Sequence, residues 1–361
     1  MLCRLVTLKI EAVEHTVISL KGEGFYGPVL AASGIAVHYF DFGQFLRWRS
    51  FSEFRRLVKM IAEISPDVVQ TWLYHADLVG GLAARLAGCK AVVWGIRSAS
   101  LSPLLMGRFT RIVAWLCARL SGFVPVAIAT CSQEAAKVHK RLGYDASKFE
   151  VIANGFDLKI FKPDADARKR FRQAWGVSDN EVLLGCVARW DPYKDHANLL
   201  EAMSIARMGA CQFRCVLVGG GLDDRNPALN ELMAKYNLFG AIILAGKQSD
   251  ISSVMNALDL HILPSASEAF PNVVAEAMAC GVPAVVTDVG DAALIVGNTG
   301  WVVAPQNPSL LAQAVVNAVA GVRSDGHLQR SHAARQRIAE NFSMEKMTQS
   351  YVHLWRSVST K

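Results

Sequence analysis

The alternation of short apolar runs with helical periods constrains the fold of this chain more than any other feature. Runs rich in Val, Ile and Leu recur between stretches in which apolar residues repeat every three or four positions. Strand candidates in the first half cover residues 15–20, 35–40, 67–72, 90–95 and 124–131, with helical stretches at 51–64, 75–87 and 104–120 between them. Parallel strands joined by helical crossovers produce this pattern, because both faces of such a sheet are buried. The sequence therefore predicts an α/β fold built on parallel sheets.

A second series of strands and helices follows the first. Its strand candidates cover residues 182–188, 214–218, 242–244, 260–263 and 284–287. A chain of 361 residues is long enough for two domains, and a stretch with turn residues separates the two series. We predict an N-terminal domain over residues 1–160, a C-terminal domain over 161–341, and a final helix over 342–361 that packs back on the N-terminal domain.

Residues 268–283 carry the pattern most specific for a binding site. Asn272 suits a helix N-cap, and the apolar run after it ends at Gly281, a suitable C′ residue. The start of such a helix offers unpaired N–H groups and a partial positive charge to a phosphate. Glu268 precedes that end and Glu276 lies about one turn inside it, where each carboxylate can accept two hydroxyl hydrogen bonds. The segment predicts a ligand that joins phosphate to sugar or ribose, although either Glu alone could be a solvated residue that suits the helix dipole.

The same segment resembles the signature of a known family. Glu-x7-Glu followed by Ala-Met-Ala-Cys-Gly-Val-Pro is similar to the motif of the retaining, nucleotide-sugar-dependent glycosyltransferases of family 4, also called group 1. The resemblance implies the GT-B fold, in which two Rossmann-like domains with parallel sheets face each other across a cleft. It also implies that Glu268 contacts sugar hydroxyls, that Glu276 binds the ribose, and that the backbone amides of Asn272 and Val273 contact phosphate.

A second segment, Gly-Cys-Val-Ala-Arg189-Trp-Asp-Pro-Tyr-Lys194-Asp-His, resembles the part of the family in which an Arg and a Lys hold the donor diphosphate. A strand delivers Arg189 and the next turn delivers Lys194, so two cations can stabilise the charge on a departing nucleoside diphosphate. We therefore predict transfer without a metal ion and without a cofactor besides the nucleotide-sugar co-substrate. Lys194 could alternatively be a solvated residue at a helix start. The resemblance also places Gly219 and Gly221 beside the donor, although a glycine run alone is a weak phosphate-loop signal.

Three residues of the first domain are candidates for the same site. His75 follows a predicted strand and resembles a histidine that faces the donor sugar in related enzymes. An unperturbed imidazole titrates near pH 6.5, and a lone histidine is more often structural than functional. Tyr74 and Arg97, which also follow strand candidates, are predicted to bind the acceptor.

The positive charge of the chain is confined to its first half. Residues 1–150 carry 18 Lys+Arg and 11 Asp+Glu, whereas the rest of the chain carries 20 of each. The arginines of this half cluster at 45–49 and 55–56 and recur at Arg108, Arg111 and Arg119. A basic face with aromatic residues suits an anionic membrane surface. No nucleic-acid-binding motif accompanies it, and a solvated face without a partner remains an alternative.

The remaining composition indicates a reducing compartment. The eight cysteines are scattered, without a CxxC pair or a zinc-binding spacing, which favours small buried thiols and no metal site. No secretory signal is evident. The apolar stretch 112–131 is interrupted by Arg119 and by turn residues, so it indicates a helix, a turn and a strand rather than a membrane span. We predict a cytoplasmic protein, with peripheral association at the inner face of the membrane as an extension of that prediction.

The sequence departs from the family pattern at its start. Relatives begin with a strand and a Gly-rich loop, whereas residues 1–5 resemble the helix that follows that loop. We therefore expect the first strand and the Gly-rich loop of the N-terminal domain to be missing, and a natural start upstream. Ala269 replaces a common Gly, and Asp291 occupies a loop where many relatives have Glu, so we assign no role there.

The residues and the resemblance together predict a retaining hexosyltransferase. It would move a sugar from a nucleotide diphosphate donor, expected to be a UDP-sugar, to a glycan or lipid-linked acceptor in surface polysaccharide or glycoconjugate synthesis. Arg189 and Lys194 would stabilise the leaving diphosphate, while Glu268 and Glu276 would orient the sugar and the ribose. An inactive N-terminally truncated form, a non-catalytic nucleotide-sugar binder and another GT-B enzyme, such as a nucleotide-sugar epimerase or a sugar phosphorylase, remain alternatives.

Overall fold

The computed structural model describes residues 1–8, 10–11, 13–42, 48–99 and 106–359, without the side chains of residues 48–50. The basic stretch 45–49 therefore lies outside the described side chains. The chain forms two compact units. The first unit comprises Met1–Ala153 and Met347–Lys361, and the second comprises Asn154–Lys346.

The first unit alternates strands and helices in chain order. Its helices are α1 (Leu2–Val6), α2 (Tyr26–Ala32), α3 (Trp48–Ile64), α4 (Tyr74–Leu86), α5 (Arg108–Leu120) and α6 (Gln133–Leu142). Its strands are β1 (Thr16–Ser19), β2 (Ala36–Tyr39), β3 (Val69–Gln70), β4 (Val92–Ile96), β5 (Ala127–Thr130) and β6 (Phe149–Val151). Each predicted strand of this half contains one of the first five observed strands, apart from the last residue of β4, so the alternation was interpreted correctly.

The described strands of the first unit form two sheets. Strands β1 and β2 form a parallel pair, and β3, β4, β5 and β6 form a parallel sheet in that order. The expected helix at the start of the chain is present as α1, with Leu5 and Val6 buried. Strand β4 is buried along its whole length and carries the fully buried Trp94. The apolar run of this strand therefore forms the centre of the unit.

The second unit is a doubly wound sheet. Its strands are β7 (Leu183–Val187), β8 (Arg214–Val218), β9 (Ile242–Gly246), β10 (Leu260–Leu263), β11 (Ala284–Thr287) and β12 (Trp301–Val303). Its helices are α7 (Ala165–Ala174), α8 (His196–Met208), α9 (Pro227–Lys235), α10 (Ile251–Ala257), α11 (Asn272–Ala279), α12 (Ala292–Val296), α13 (Pro308–Val322) and α14 (His327–Asn341). The parallel strand order is β12-β11-β10-β7-β8-β9, which is the order of a Rossmann fold.

Side-chain caps start several helices of the second unit. Asp164, Asn226 and Asp250 each accept a hydrogen bond from the backbone N–H three residues ahead. A short polar side chain at this position satisfies one of the orphan donors of a helix start. The sequence therefore fixes where the helices that flank the sheet begin.

The last helix, α15 (Met344–Ser359), continues into the part of the chain that groups with the first unit. Met347, Tyr351 and Leu354 lie on one helical face and are at most 6% exposed. Within the first unit, the Tyr351 ring contacts Trp72 at a centroid distance of 5.8 Å. The apolar repeat of this helix thus packs against residues that follow strand β3.

Candidate functional site

The order of the sheet in the second unit reverses between the neighbouring strands β7 and β10. Strand β7 lies between β8, which follows it in sequence, and β10, which is reached only after two more crossovers. In doubly wound sheets, ligands bind beyond the carboxyl ends of the strands at this position. Predicted site residues follow both strands, with Arg189 and Lys194 after β7 and Glu268 after β10.

Backbone hydrogen bonds hold the two loops beside each other. The Ala266 N–H donates to the carbonyl oxygen of Tyr193 at 2.8 Å, which joins the loop after β10 to the short 3-10 turn Pro192–Lys194. The Trp190 N–H donates to the carbonyl oxygen of Gly220 at 2.8 Å, so pairing with the segment after β8 continues beyond the strands. The position of Lys194 is therefore set by both neighbouring loops.

Lys194 and Glu268 form an ion pair at this point. The Lys194 Nζ lies 2.5 Å from the Glu268 Oε1, and the Ser265 hydroxyl donates to the same oxygen at 2.8 Å. The two side chains are 24% and 11% exposed. A cation and a carboxylate that are both largely withdrawn from water hold each other in place, because separating them would leave two poorly solvated charges without a partner. The structure brings together these two predicted residues.

Arg189 has a different environment. Its side chain is 72% exposed, and the guanidinium pairs with Asp191 at 2.9 Å. Partial burial acts to raise the pKa of Asp191, but the Tyr193 N–H and the Arg189 guanidinium outweigh it and lower the pKa. Asp191 therefore stays ionised and directs an exposed cation beside the Lys194 turn.

The glycines after β8 allow a close approach of the two backbones. Gly219 has a φ of +151°, and a Cβ there would overlap the carbonyl oxygen of Ala188. Gly221 has a φ of +78°, and a Cβ there would lie 2.8 Å from the Cβ of Trp190. Only glycine fits at both positions without displacing the segment that carries Arg189.

The start of α11 differs from the sequence prediction. Pro271 is the N-cap, and Asn272 is the first helical residue. The Asn272 Oδ1 accepts a hydrogen bond of 2.7 Å from the Asn154 Nδ2, so this side chain caps nothing in its own helix. The prediction of an Asn272 cap was wrong because Pro271 already has the extended backbone that an N-cap requires. Gly281 has a φ of +81°, which confirms the predicted helix end.

The first turn of α11 nevertheless has the geometry of an anion site. Asn272 and Val273 are its first two residues, whose N–H groups have no acceptor within a helix. Glu276 is the fifth residue of α11 and is 8% exposed. The helix start and Glu276 therefore lie on the element that directly follows the Glu268 loop.

The loop that carries Glu268 packs closely against Gly290. This glycine has a φ of +57°, and a Cβ there would lie 2.6 Å from the carbonyl oxygen of Glu268 and 2.5 Å from that of Ala269. The Asp291 N–H donates to the carbonyl oxygen of Ala269 at 3.0 Å. The 290–291 turn thus holds the backbone of the Glu268 loop through a close approach and a hydrogen bond.

Sequence reasoning missed two buried histidines beneath Lys194. Burial, with a smaller contribution from the Lys194 charge, lowers the pKa of His196 to about 4 and that of His261 to about 3. The ring of Trp190 stacks on His196 at 5.2 Å. Both imidazoles are neutral at physiological pH, so neither adds a positive charge beside the ion pairs Lys194–Glu268 and Arg189–Asp191. His261 lies inside an apolar strand, and His196 directly follows Lys194 and Asp195 in sequence. These two positions were the sequence signals that could have identified the histidines.

The predicted residues of the first unit have their own environments. His75, on α4, stacks on Phe109 at a centroid distance of 5.9 Å, and burial together with the nearby Lys21 lowers its pKa. Arg97, after β4, lies over the Trp72 ring at 5.0 Å and contacts the Tyr351 hydroxyl at 3.3 Å.

Tyr74 is part of the core of the first unit. It is 5% exposed, and its hydroxyl lies 2.7 Å from the Nε2 of the buried His139. An acceptor would have to displace this internal hydrogen bond to reach the hydroxyl. The packing therefore disfavours the predicted acceptor role of Tyr74, because α4 begins at this residue and turns it inward.

Two family models match the chain. The model of Glycosyltransferase Family 4 matches residues 7–160, and the model of Glycosyl transferases group 1 matches residues 181–320. Together they match most of the chain and parts of both units.

Curated relatives agree with these matches. The D-inositol 3-phosphate glycosyltransferase of Rhodococcus opacus is 31% identical over 239 residues, which is 63% of this chain and 52% of the relative. The UDP-Gal:alpha-D-GlcNAc-diphosphoundecaprenol alpha-1,3-galactosyltransferase of Escherichia coli is 25% identical over 299 residues, which is 80% of this chain and 75% of the relative. The chain spans about half the length of several of the curated relatives it matches.

Solved structures share the fold. Anabaena Alr3699/HepE in complex with UDP matches with a TM-score of 0.82 at 23% identity, over 99% of this chain and 95% of that chain. The same protein has been solved in complex with UDP-glucose, with a TM-score of 0.81 at 22% identity, over 100% of this chain and 95% of that chain. These similarities show the GT-B fold. The chain belongs to the group 1 glycosyltransferases, the family that residues 184–196 and 268–283 resemble.

Proposed function

We propose that this chain transfers a sugar from a UDP-sugar to a glycan or lipid-linked acceptor. The observation that carries the proposal is the Lys194–Glu268 ion pair at the point where the Rossmann sheet of the second unit reverses its strand order. A cation for a diphosphate and a carboxylate for hydroxyls meet there at one place. A sugar linked to a diphosphate is a ligand that needs both the cation and the carboxylate.

The diphosphate would be bound by three groups. Lys194 and Arg189 supply positive charge, and the N–H groups of Asn272 and Val273 supply donors at a helix start. As the bond from the sugar to the diphosphate breaks, negative charge grows on the leaving group, so fixed cations stabilise that state more than the ground state. The departing diphosphate oxygen is the base that takes the acceptor's proton in this proposal.

The sugar and the ribose would be bound by the two carboxylates. Glu268 already accepts hydrogen bonds through Oε1, which leaves Oε2 for a sugar hydroxyl. Glu276 lies one turn inside α11 and is expected to accept hydrogen bonds from the ribose. Gly219 and Gly221 keep the backbone after β8 close to this region.

The choice of UDP rests on relatives. HepE has been solved with UDP and with UDP-glucose, and the name of the Escherichia coli relative specifies UDP-Gal. The choice of acceptor class rests on the same relative, whose name specifies a diphosphoundecaprenol-linked sugar. For this chain, a glycan or lipid-linked acceptor of surface polysaccharide or glycoconjugate synthesis is therefore the substrate class that we propose.

Retention and metal independence are further parts of the proposal. Retention at the anomeric carbon follows from the resemblance of residues 268–283 to the retaining family. Metal independence follows from the two cations, because Lys194 and Arg189 can neutralise a diphosphate that a metal ion would otherwise bind. Proton NMR of the transferred sugar tests retention, and turnover in EDTA tests metal independence.

A panel of nucleotide sugars in a thermal-shift assay is the first experiment. UDP and one UDP-sugar should raise the melting temperature, while GDP-mannose and CMP-sialic acid should not, because a ligand stabilises the fold in proportion to the logarithm of its concentration over Kd. Release of UDP from that UDP-sugar then separates an enzyme from a binder. Binding without UDP release, with and without a polyprenyl-diphosphate sugar as acceptor, would favour the non-catalytic alternative.

A further inference from the structure

One face of α5 in the first unit exposes basic and apolar side chains together. We propose that this surface, the α5 face, docks the protein on an anionic lipid bilayer. Its apolar residues are more exposed than core residues of a helix, with Phe109 at 45%, Ile112 at 54% and Trp115 at 47%. The α5 face consists of Arg108, Phe109, Arg111, Ile112, Trp115 and Arg119.

The apolar residues of this face are not those that hold α5 in the fold. Val113, Ala114, Cys117 and Ala118 are buried and pack toward the core. At about 100° of rotation per residue, the six residues of the α5 face lie within an arc of roughly 160° on the other side. The helix therefore has two apolar faces, and only the face with these four residues packs into the core of the first unit. An exposed patch of large apolar side chains next to cations is a feature of interaction surfaces.

The charge of the α5 face is uncompensated by its neighbours. Among the described residues, no carboxylate forms an ion pair with Arg108, Arg111 or Arg119. Arg119 lies over the Trp115 ring at 5.3 Å. The sequence from residue 78 to 133 contains six Lys or Arg and no Asp or Glu. The positive potential here is therefore local to α5 and the segments beside it.

The other basic helix of the first unit differs in this respect. On α3, Arg56 pairs with Glu53 at 3.3 Å and donates to the carbonyl oxygen of Tyr39, and Lys59 pairs with Glu63 at 3.6 Å. These cations already have partners within the unit. Among the described side chains of α3, Arg55 forms no ion pair and lies 6.0 Å from the centroid of the exposed Phe51 ring, so α3 offers one such cation where the α5 face offers three.

A bilayer fits this combination better than other partners. Arginine donates to lipid phosphates, aromatic rings lie at the headgroup level, and aliphatic side chains enter the acyl boundary. A nucleic acid would use the arginines but would leave Ile112 in water. A second copy of the chain would bring the same three arginines against each other, which costs free energy.

The α5 face adjoins a predicted site residue. Phe109, at one end of the face, stacks on His75 at 5.9 Å with an interplanar angle of 30°. Docking would therefore hold His75 next to the lipid surface. This part of the inference rests on the proposed function, because a lipid-linked acceptor would present its sugar at that surface.

The experiment is vesicle co-sedimentation of the full chain. Vesicles of phosphatidylcholine alone are compared with vesicles of phosphatidylcholine and phosphatidylglycerol, at low and high salt. The parent chain should bind only the anionic vesicles, and more weakly at high salt. The Ile112→Ser/Trp115→Ser variant and the Arg111→Gln/Arg119→Gln variant should each lose roughly tenfold or more in partition coefficient. None of these four residues belongs to the proposed donor site.

Matched controls change residues of the second unit. Met208→Ser/Leu328→Ser removes two side chains that are 77% and 71% exposed, and Lys159→Gln/Lys169→Gln removes two exposed cations. Both controls should bind anionic vesicles like the parent. All variants are also tested for the UDP-induced thermal shift, which reports on the fold and on the donor site independently of membrane binding.

Three outcomes would overturn the inference. The parent chain could fail to bind anionic vesicles, the α5 variants could bind like the parent, or the controls could lose binding equally. A shift from dimer to monomer in the Ile112→Ser/Trp115→Ser variant, without vesicle binding by the parent, would assign the face to a second copy instead. A lost UDP shift with intact vesicle binding would contradict the proposed function and leave the inference standing.

Discussion

The Lys194 Nζ and the Glu268 Oε1 lie 2.5 Å apart, although 74 residues of sequence separate them. Their loops follow neighbouring strands, β7 and β10, between which the sheet reverses its order. The fold therefore places one cation and one carboxylate where a sugar diphosphate would be cleaved.

The ion pair should contribute to stability as a unit. Lys194→Met and Glu268→Gln each remove one partner and are expected to cost about 1–2 kcal/mol of unfolding free energy, since the remaining group is largely buried. The double variant should cost less than the sum, because neither partner is then left alone. Urea unfolding of the parent, the two single variants and the double variant measures this double-mutant cycle. Strictly additive effects would mean that the pair is not formed in solution.

Glu276 should recognise the ribose of the donor. Glu276→Gln keeps the shape of the side chain but removes its charge, and hydrogen bonds to a charged group contribute about 1.5–3 kcal/mol, which corresponds to roughly a 10- to 100-fold weaker Kd for UDP. The parent chain should prefer UDP over its 2′-deoxy analogue, and the variant should show a smaller preference. Calorimetric titration measures both ligands, with the exposed Glu231→Gln as the control. An unchanged preference in Glu276→Gln would place the ribose elsewhere.

The donor site should need glycine at position 290 because a side chain has no room there, and not only because of the positive φ. Gly290→Ala and Gly240→Ala both place a side chain at positive φ, at +57° and +85°. The strain alone should cost each variant about 1 kcal/mol of stability. Only at Gly290 does the new Cβ meet the carbonyl oxygens of Glu268 and Ala269, whereas at Gly240 no atom lies within 4 Å. Gly290→Ala should therefore weaken UDP binding and Gly240→Ala should not. Equal UDP affinity in the two variants would show that the Glu268 loop does not depend on this turn.

Asp77 should make the stability of the first unit depend on pH. It is fully buried, accepts hydrogen bonds from the Thr71 hydroxyl and the Gly95 N–H, and burial raises its pKa to about 7 against these opposing bonds. Because the folded state keeps a proton that the unfolded state releases, unfolding free energy should fall as the pH rises from about 4 to about 7 and stay level above.

The Asp77→Asn variant should lack this decline. The difference in unfolding free energy between Asp77→Asn and the parent chain should move in favour of the variant by on the order of 2–4 kcal/mol between pH 4 and pH 8. Each unit of pKa difference corresponds to about 1.4 kcal/mol. Denaturant unfolding at several pH values measures the effect, with the exposed Asp179→Asn as the control. Parallel pH profiles for the parent and Asp77→Asn would contradict the raised pKa.

Much of the second unit could be predicted because its strands are short, continuous and apolar. Strands β8, β10 and β11 begin and end where the hydrophobic pattern indicated. Strand β12 was not predicted, since it has three residues and follows a glycine. The residue types at Lys194, Glu268 and Arg189 identified the candidate site, but the pairing of Lys194 with Glu268 depends on two loops that only the folded sheet brings together.

One prediction about local structure was wrong, and one site prediction is disfavoured by the packing. Asn272 was interpreted as a cap because its type is typical of caps, but its partner Asn154 is 118 residues away in sequence. The predicted acceptor role of Tyr74 rests on its place after a strand candidate, and its burial beside His139 disfavours that role. Successive residues of a helix point about 100° apart, so Tyr74 faces the core although the next residue, His75, is partly exposed. Residue type alone does not show which distant residue a side chain will contact, or which way the first residue of a helix will face.

The most direct test of the account is UDP release by the Arg189→Ala/Lys194→Ala variant with the UDP-sugar that stabilises the parent chain. The account predicts a fall in turnover of roughly 100- to 1,000-fold, because both cations that stabilise the leaving diphosphate are lost. The Lys159→Ala/Lys169→Ala variant, which removes two exposed cations from the same unit, should retain the parent's turnover. Turnover of Arg189→Ala/Lys194→Ala at the parent's level, in a folded protein, would contradict the assignment of the donor site.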